Sequence, residues 1–276
     1  MSPPADLSAA RVAFVGAGKM GGALLSGLSG AARPKSLLVI EPHPAPCIEV
    51  LCQAQGWTLS AAAPQKGDRF DAVVLAIKPQ MLEAAAASIA PLLDEATLVV
   101  SILAGKRIAD LSARLPARSF VRAMPNTPAS IGRGVTGAYA NDATTAEQRA
   151  LAHALLAAAG GVEWVEREEL IDAVTAVSGS GPAYVFYLAE CLAEAGAAAG
   201  LPPDLAARLA RATVSGAGEL LHLSQEVSAA TLRENVTSPG GTTAAALAVL
   251  MAEDGMRPLL EKAVAAAKRR AGELAG

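Results

Sequence analysis

Two stretches of this 276-residue chain combine residue types and spacings that could do chemistry. The first is Gly16-Ala17-Gly18-Lys19-Met20-Gly21, which follows the β-branched run Arg11–Val15 and opens an apolar helical run. In a G-x-G-x-x-G turn of this kind the first glycine permits the tight bend and the second lets the backbone approach a pyrophosphate. The helix start adds unpaired N–H groups and the positive end of a dipole. Val15, Gly16, Ala17, Gly18, Lys19 and Met20 are therefore candidate dinucleotide contacts. The spacing alone would also suit a plain tight turn, and its place at the first βα junction favours the nucleotide. Glu41 closes the next strand, where a carboxylate can accept hydrogen bonds from ribose hydroxyls and would repel a 2′-phosphate. The only cation candidate close by in sequence is His43. The cofactor is thus expected to be NADPH or NADH, with a lean to NADH, unless Glu41 is an ordinary strand-end charge facing solvent.

Two later junctions put polar groups at the carboxyl edge of the same sheet: Ala76-Ile77-Lys78-Pro79 and Ala123-Met124-Pro125-Asn126-Thr127-Pro128. Prolines on both sides of Asn126-Thr127 restrict that loop. Its amide is then held at a height suited to a nicotinamide ring, or the segment is simply a rigid turn. The second chemical stretch is Asn235-Val236-Thr237-Ser238-Pro239-Gly240-Gly241-Thr242-Thr243, ahead of the helical run Ala244–Met251. A Pro-Gly-Gly turn before a helix presents bare N–H groups, and with the Ser238, Thr242 and Thr243 hydroxyls beside them it could hold a carboxylate without a cationic side chain. An ordinary capped helix start reads the same way.

These residues need elements to carry them. Up to about residue 140, short strands alternate with Ala-rich helices, the pattern of βαβ units in a parallel sheet. The strands fall at Arg11–Val15, Ser36–Glu41, Asp71–Ile77, Thr97–Ile102, Ser119–Met124 and Val135–Tyr139, with a weaker candidate at Trp57–Leu59. Beyond Thr144, where Thr145-Ala146-Glu147-Gln148 forms a capping box, the reading is helix after helix to the end. The fold class is therefore α/β: an N-terminal Rossmann-like dinucleotide-binding domain, residues 1–165, then an all-α domain, residues 166–276. Val177-Ser178-Gly179-Ser180-Gly181-Pro182-Ala183-Tyr184 opens one of its helices at Pro182. Later helices such as Tyr184–Ala199 and Pro203–Leu223 are small and apolar over most of their circumference and must be buried. So few residues cannot easily bury them alone, which predicts two interlocking subunits over a compact monomeric bundle.

Composition narrows the rest. The chain is 52% apolar and 18% charged with a net charge of −3, so it lacks the basic surface that nucleic acid or an anionic membrane would require. Its uncharged stretches are broken by Ser, Gly and Pro, which argues against a membrane span, and the opening residues show no secretory pattern, so a cytoplasmic protein is expected. The three cysteines, Cys47, Cys52 and Cys191, read as free thiols. His43, Cys47 and Cys52 lack metal-ligand spacing, so no metal is expected.

The chain resembles the pyrroline-5-carboxylate reductases essentially end to end. The landmarks come in order: Val15–Met20, Ala76–Pro79, Arg122–Pro128, Val177–Tyr184 and Asn235–Thr243. The resemblance implies NAD(P)H-dependent reduction of 1-pyrroline-5-carboxylate to L-proline, the last step of proline biosynthesis. It also implies a homodimer through the C-terminal helices that often assembles further. It assigns Ser238, Gly240, Gly241, Thr242 and Thr243 to the substrate, with Thr243 near the ring nitrogen. It also puts Glu168 and Asn235 by the cofactor and Thr175 toward the substrate. Met251 departs from the family's usual polar or charged residue, and Gly255-Met256-Arg257 follows after an extra residue. Glu41 departs from the small polar or basic residues of NADPH-preferring members. The chemistry agrees with the likeness. Reduction of a carbonyl usually needs a placed acid for the alkoxide, and no lysine occurs between Lys106 and Lys262. That argues against a hydroxyacid dehydrogenase of similar layout. A protonated cyclic imine needs only orienting donors, with Thr243 as the catalytic candidate. A dinucleotide-binding redox sensor without turnover is the rival of another kind, and steady NADH consumption with substrate excludes it.

Overall fold

The computed structural model describes residues 7–30, 33–64 and 69–275. Among them an eight-stranded sheet runs β3-β2-β1-β4-β5-β6-β7-β8. Its strands are β1 (Arg11–Val15), β2 (Ser36–Ile40), β3 (Thr58–Ser60), β4 (Ala72–Leu75), β5 (Leu98–Ser101), β6 (Ser119–Met124), β7 (Gly134–Ala140) and β8 (Gly160–Trp164). The first six are parallel, β7 pairs antiparallel with β6, and β8 runs parallel to β7. Helices α1 (Lys19–Leu28), α2 (Pro46–Gln55), α3 (Leu82–Ile89), α4 (Ile108–Ser112) and α5 (Ala146–Ala157) connect most of them.

The central strands are buried along their length, as parallel strands covered on both faces must be. Their period of two divides the core. Val12 and Phe14 of β1 join Val39, Val74 and Val100 on one face, against Leu24 and Leu28 of α1, Ile48 of α2 and Leu155 of α5. Ala13 and Val15 join Val73, Leu75 and Val99 on the other, against Leu82, Ala86 and Ile89 of α3 and Leu111 of α4. The strand order reverses between β1 and β4, so the loops after these two strands diverge and leave the crevice in which such folds bind ligands.

One expectation is corrected. Strands do not end near residue 140, because β8 follows α5 and pairs along β7 from Gly134↔Gly160 to Ala138↔Trp164. Its sequence, Gly160-Gly161-Val162-Glu163-Trp164, contains two weak strand formers and one acidic residue, and none of the five is fully buried. Neighbouring β7, not its own propensity, makes it a strand.

Beyond β8 come α6 (Leu170–Val174), a π-helical turn Thr175–Gly179, α7 (Gly181–Ala198), α8 (Pro203–Leu223), α9 (Ala229–Asn235), α10 (Thr242–Leu250) and α11 (Met256–Leu274). The chain divides into two compact units, one of residues 1–179 with 267–276 and one of residues 180–266. The division falls later than the 165/166 boundary read from helical spacing, because Glu168, Asp172 and Ser178 are bonded to β6 and the loop after it. In the second unit the buried apolar side chains are two alanines of α8, Ala206 and Ala210. Phe186, at 63% exposure, and Leu259, at 67%, stand for a wide apolar surface on α7–α11.

Candidate active site

Gly16 follows β1 at φ +95°, a conformation only glycine adopts without strain, and its N–H donates to the Ile40 carbonyl at 2.9 Å. A Cβ here would lie 2.7 Å from the Ala76 carbonyl oxygen, so the loops after β1 and β4 touch backbone to backbone. A Cβ on Gly21 would come 2.5 Å from the Gly16 carbonyl oxygen. At Gly18 a Cβ would meet nothing within 4 Å. The outer two glycines are thus required by the fold itself, whereas the fold leaves Gly18 free.

Gly18 is also the N-cap of α1, with no side-chain cap. The first bond of the helix is Gly22 N–H to the Gly18 carbonyl at 2.7 Å, so the N–H groups of Lys19, Met20 and Gly21 point out of the helix start. Gly18 and Lys19 line a cavity of about 840 Å³, whereas Met20 lies outside its lining. Its lining includes Val15 to Lys19, Glu41, His43, Cys47 and Ala76 to Lys78. Lys19 and Lys78, both exposed, make no ion pair among the described residues. An uncapped helix start, a bare glycine and two ammonium groups make a cradle for a pyrophosphate, so the residues present fit a dinucleotide.

Glu41 lines this cavity with its carboxylate already oriented. Oε2 accepts the Ala17 N–H at 2.8 Å and Oε1 the His43 N–H at 3.1 Å, which leaves further lone pairs on both oxygens. A freely solvated strand-end charge would not be held in this way. Cys47 is exposed at the start of α2, while burial pushes the Cys52 thiol up, away from the reactive thiolate. Among the described residues no group of three or more His, Cys, Asp or Glu is placed to hold a metal ion.

Other expected residues lie outside the cavity lining. Pro79 starts a single 3-10 turn after β4. The Asn126 amide is engaged at both ends: Oδ1 accepts the Val135 N–H at 2.9 Å, and Nδ2 donates to the Ser178 carbonyl and hydroxyl, each at 3.3 Å. It ties β7 and the π-helical turn to the loop after β6. Glu168 Oε1 accepts the Ile108 N–H at 2.8 Å and pairs with Arg122 at 3.3 Å. Thr175 opens the π-helical turn, and its hydroxyl donates to the Ile171 carbonyl at 2.8 Å. The sequence reading singled out neither the Arg122 side chain nor Asp172, although a lone arginine inside a buried strand was a signal for a charge pair.

The second unit carries the other stretch. Asn235 is the last residue of α9. Ser238 to Gly241 forms a turn closed by Gly241 N–H to the Ser238 carbonyl at 3.0 Å, with Gly240 at φ +70° where such a turn requires glycine. Gly241 caps α10 without a side-chain bond, and the first bond of the helix is Ala245 N–H to the Gly241 carbonyl. The N–H groups of Thr242, Thr243 and Ala244 therefore face outward beside the Ser238, Thr242 and Thr243 hydroxyls. No carboxylate stands in this turn to oppose an anion.

Comparison with known proteins agrees with both halves. Residues 168–274 match the family model described as pyrroline-5-carboxylate reductase dimerisation, and residues 11–105 that of NADP oxidoreductase, coenzyme F420-dependent. The chain is 41% identical to the pyrroline-5-carboxylate reductase of Pseudomonas aeruginosa over 98% of both chains, and 36% identical to that of Pisum sativum over 95% of this chain and 94% of the other. Among solved structures it superposes on a pyrroline-5-carboxylate reductase from Coxiella burnetii with a TM-score of 0.88, at 34% identity over 97% of this chain and 99% of that one. A nucleotide cradle at the β1–β4 switch point, an uncapped hydroxyl-rich helix start and likeness along nearly the whole length lead to one assignment: the chain belongs to the pyrroline-5-carboxylate reductase family.

Proposed function

We propose that this protein carries out the reaction of its family, reduction of 1-pyrroline-5-carboxylate to L-proline, through the residues just described. The observation that carries the substrate half is the start of α10. Three outward N–H groups and three hydroxyls, with no cation among them, suit one carboxylate bound by backbone and dipole. Ser238, Gly240, Gly241 and Thr242 hold that carboxylate, and the Thr243 hydroxyl bonds the ring nitrogen and fixes which face of the C=N bond is open. Thr175 bounds the substrate, and Asn235 bounds the cofactor. A reduced nicotinamide, when bound, supplies the hydride. The ring carbon gains that hydride and the C=N π pair becomes the lone pair on nitrogen. Because the imine enters protonated, the product is the neutral amine and the protein need supply no proton in that step. Orientation is then the protein's chief contribution.

For the cofactor, the glycine loop with Lys19, Met20 and Lys78 receives the pyrophosphate, and Ala76, Ile77 and Pro79 form the opposite wall. Glu41 sets the preference for NADH. Its carboxylate is fixed against the Ala17 N–H, where a ribose diol can donate to it and a 2′-phosphate would be repelled. Glu168 and Asn126 act at the nicotinamide end by holding the segments around it. The working unit is a homodimer through α7–α11, supported by the dimerisation family match and by the apolar surface those helices expose, with further assembly of dimers. The cytoplasm is the proposed location.

The test is oxidation of NADH and of NADPH with and without substrate, with the amino-acid product identified. Substrate-dependent oxidation yielding proline is expected, faster with NADH. Glu41→Gln keeps an acceptor for the Ala17 N–H and removes the charge, so the NADPH-to-NADH ratio of kcat/KM should rise on the order of tenfold. Thr243→Ala should lower turnover on the order of tenfold or more while the NADH dissociation constant stays within about twofold. An unchanged cofactor ratio would remove Glu41 from its role, and equal loss of NADH binding would remove Thr243 from the substrate side.

A further inference from the structure

Arg122 stands on β6 level with Ser101, the last residue of β5, and is 3% exposed. A guanidinium that far inside a sheet has lost its hydration and must be answered by charge. Two carboxylates answer it, both from the segment after β8: Nη1 meets Glu168 Oε1 at 3.3 Å and Nη2 meets Asp172 Oδ1 at 3.2 Å. The same Glu168 oxygen accepts the Ile108 N–H at the first turn of α4. Arg122 and its two carboxylates thus join an inner strand, the start of α4, the approach to α6 and α6 itself.

These links converge on two segments at the carboxyl edge of the sheet. The loop from β5 to α4 is held at its start by Leu103 N–H to Ser101 Oγ at 3.3 Å and at its end by Glu168. The π-helical turn Thr175–Gly179 follows directly on α6, whose Asp172 is clamped by Arg122, and its far side is held by Asn126 through Ser178. Turns of the π type are rare and concentrate at functional sites, where the extra residue re-aims side chains. The turn is therefore held from both sides, by Arg122 of β6 through Asp172 in the helix before it and by Asn126 of the loop after β6 through Ser178 within it.

We propose that Arg122 is a positioning residue for hydride transfer: by holding Glu168 and Asp172 with one guanidinium, it sets the β5–α4 loop and the turn carrying Thr175 in the geometry that the nicotinamide end of the site requires. The proposal rests on the dinucleotide reading above. It assigns Arg122 no contact with substrate or cofactor. The cradle that receives the pyrophosphate lies at β1 and β4 and does not depend on this clamp.

Arg122→Lys is the discriminating variant, because a single ammonium keeps the charge and loses the fork that spans two carboxylates. In the protein without cofactor, amide hydrogen exchange at Ile108 and across Thr175–Gly179 should quicken about tenfold while β1 and β4 keep their protection. Under turnover, kcat per folded site should fall about tenfold or more, with the NADH dissociation constant within about threefold of the parent. Arg122→Met, which leaves the buried Asp172 and the half-buried Glu168 without their cation, should lower the melting temperature markedly and serves only as the contrast. A kcat within about twofold of the parent, or exchange that rises throughout the sheet, overturns the proposal in favour of a general stabilising role. If the parent protein consumes no NADH with substrate, the assigned reaction fails, and the exchange pattern of the cofactor-free protein still decides for or against Arg122.

Discussion

At the scale of single residues, the three glycines of the nucleotide loop share one motif and do different work. Gly16 and Gly21 face protein backbone, where an added Cβ would sit 2.7 Å and 2.5 Å from carbonyl oxygens. Gly18 faces the cavity. Gly21→Ala should therefore cost about 1–3 kcal/mol of stability with or without cofactor, read from thermal or denaturant melts. Gly18→Val should leave the melt of the cofactor-free protein within about 1 kcal/mol and weaken NADH binding on the order of tenfold or more, since only the ligand's approach is blocked. Loss of stability in the second variant would mean that Gly18, too, is a folding residue. Glu41 was legible in the sequence as an acid at the end of β2. Its bond to the Ala17 N–H was not, because that contact depends on how β2 and the glycine loop meet in space.

At the scale of elements, local signals and tertiary context divide the structure between them. The capping box at Thr145 forms as its sequence suggests, with Gln148 N–H to Thr145 Oγ1 at 3.2 Å and Thr145 N–H to Gln148 Oε1 at 3.0 Å. Thr145→Ala should destabilise the first unit by about 1 kcal/mol and leave kcat per folded site unchanged, measured by denaturant titration beside steady-state rates. A shift in kcat would show that α5 communicates with the site. Where local signals are weak, neighbours decide. β8 is a strand because β7 offers it a ladder, and the π-helical turn is held by Arg122 of β6 through Asp172 and by Asn126 of the loop after β6 through Ser178. Hydrophobic pattern alone cannot announce a π-type turn, since the five residues of Thr175–Gly179 are too few to establish a period of their own.

At the scale of the whole molecule, the helices α7–α11 are too apolar for the burial they receive within one chain. Phe186, Tyr187, Leu223, Val249 and Leu259 are each more than 60% exposed. An apolar surface of this breadth is the mark of an association face. The purified protein should therefore sediment as a dimer or larger assembly at micromolar concentration. Leu259→Asp should shift it toward smaller species, and a sedimentation profile unchanged by that charge would place the association face elsewhere. Because the cavity that receives the pyrophosphate is lined by residues of the first unit, with Asn235 the one proposed cofactor contact outside it, NADH affinity should survive the dissociation better than turnover does.

The sequence by itself determined the elements that local physics dictates: the parallel strands from their β-branched runs, the glycine turn, the Thr145 cap and the Pro-Gly-Gly start of α10. These depend on propensities and backbone freedom that neighbours in the chain already fix. Only the tertiary structure decided what the polar side chains do. Arg122, Asp172 and Glu168 become one cluster, and the Asn126 amide is consumed by Val135 and Ser178, because desolvated groups take whichever partners the packed sheet brings within hydrogen-bond reach. Apart from Val135, nine residues on from Asn126, those partners lie some 46 to 52 residues away in the chain, and nothing in their spacing announces them.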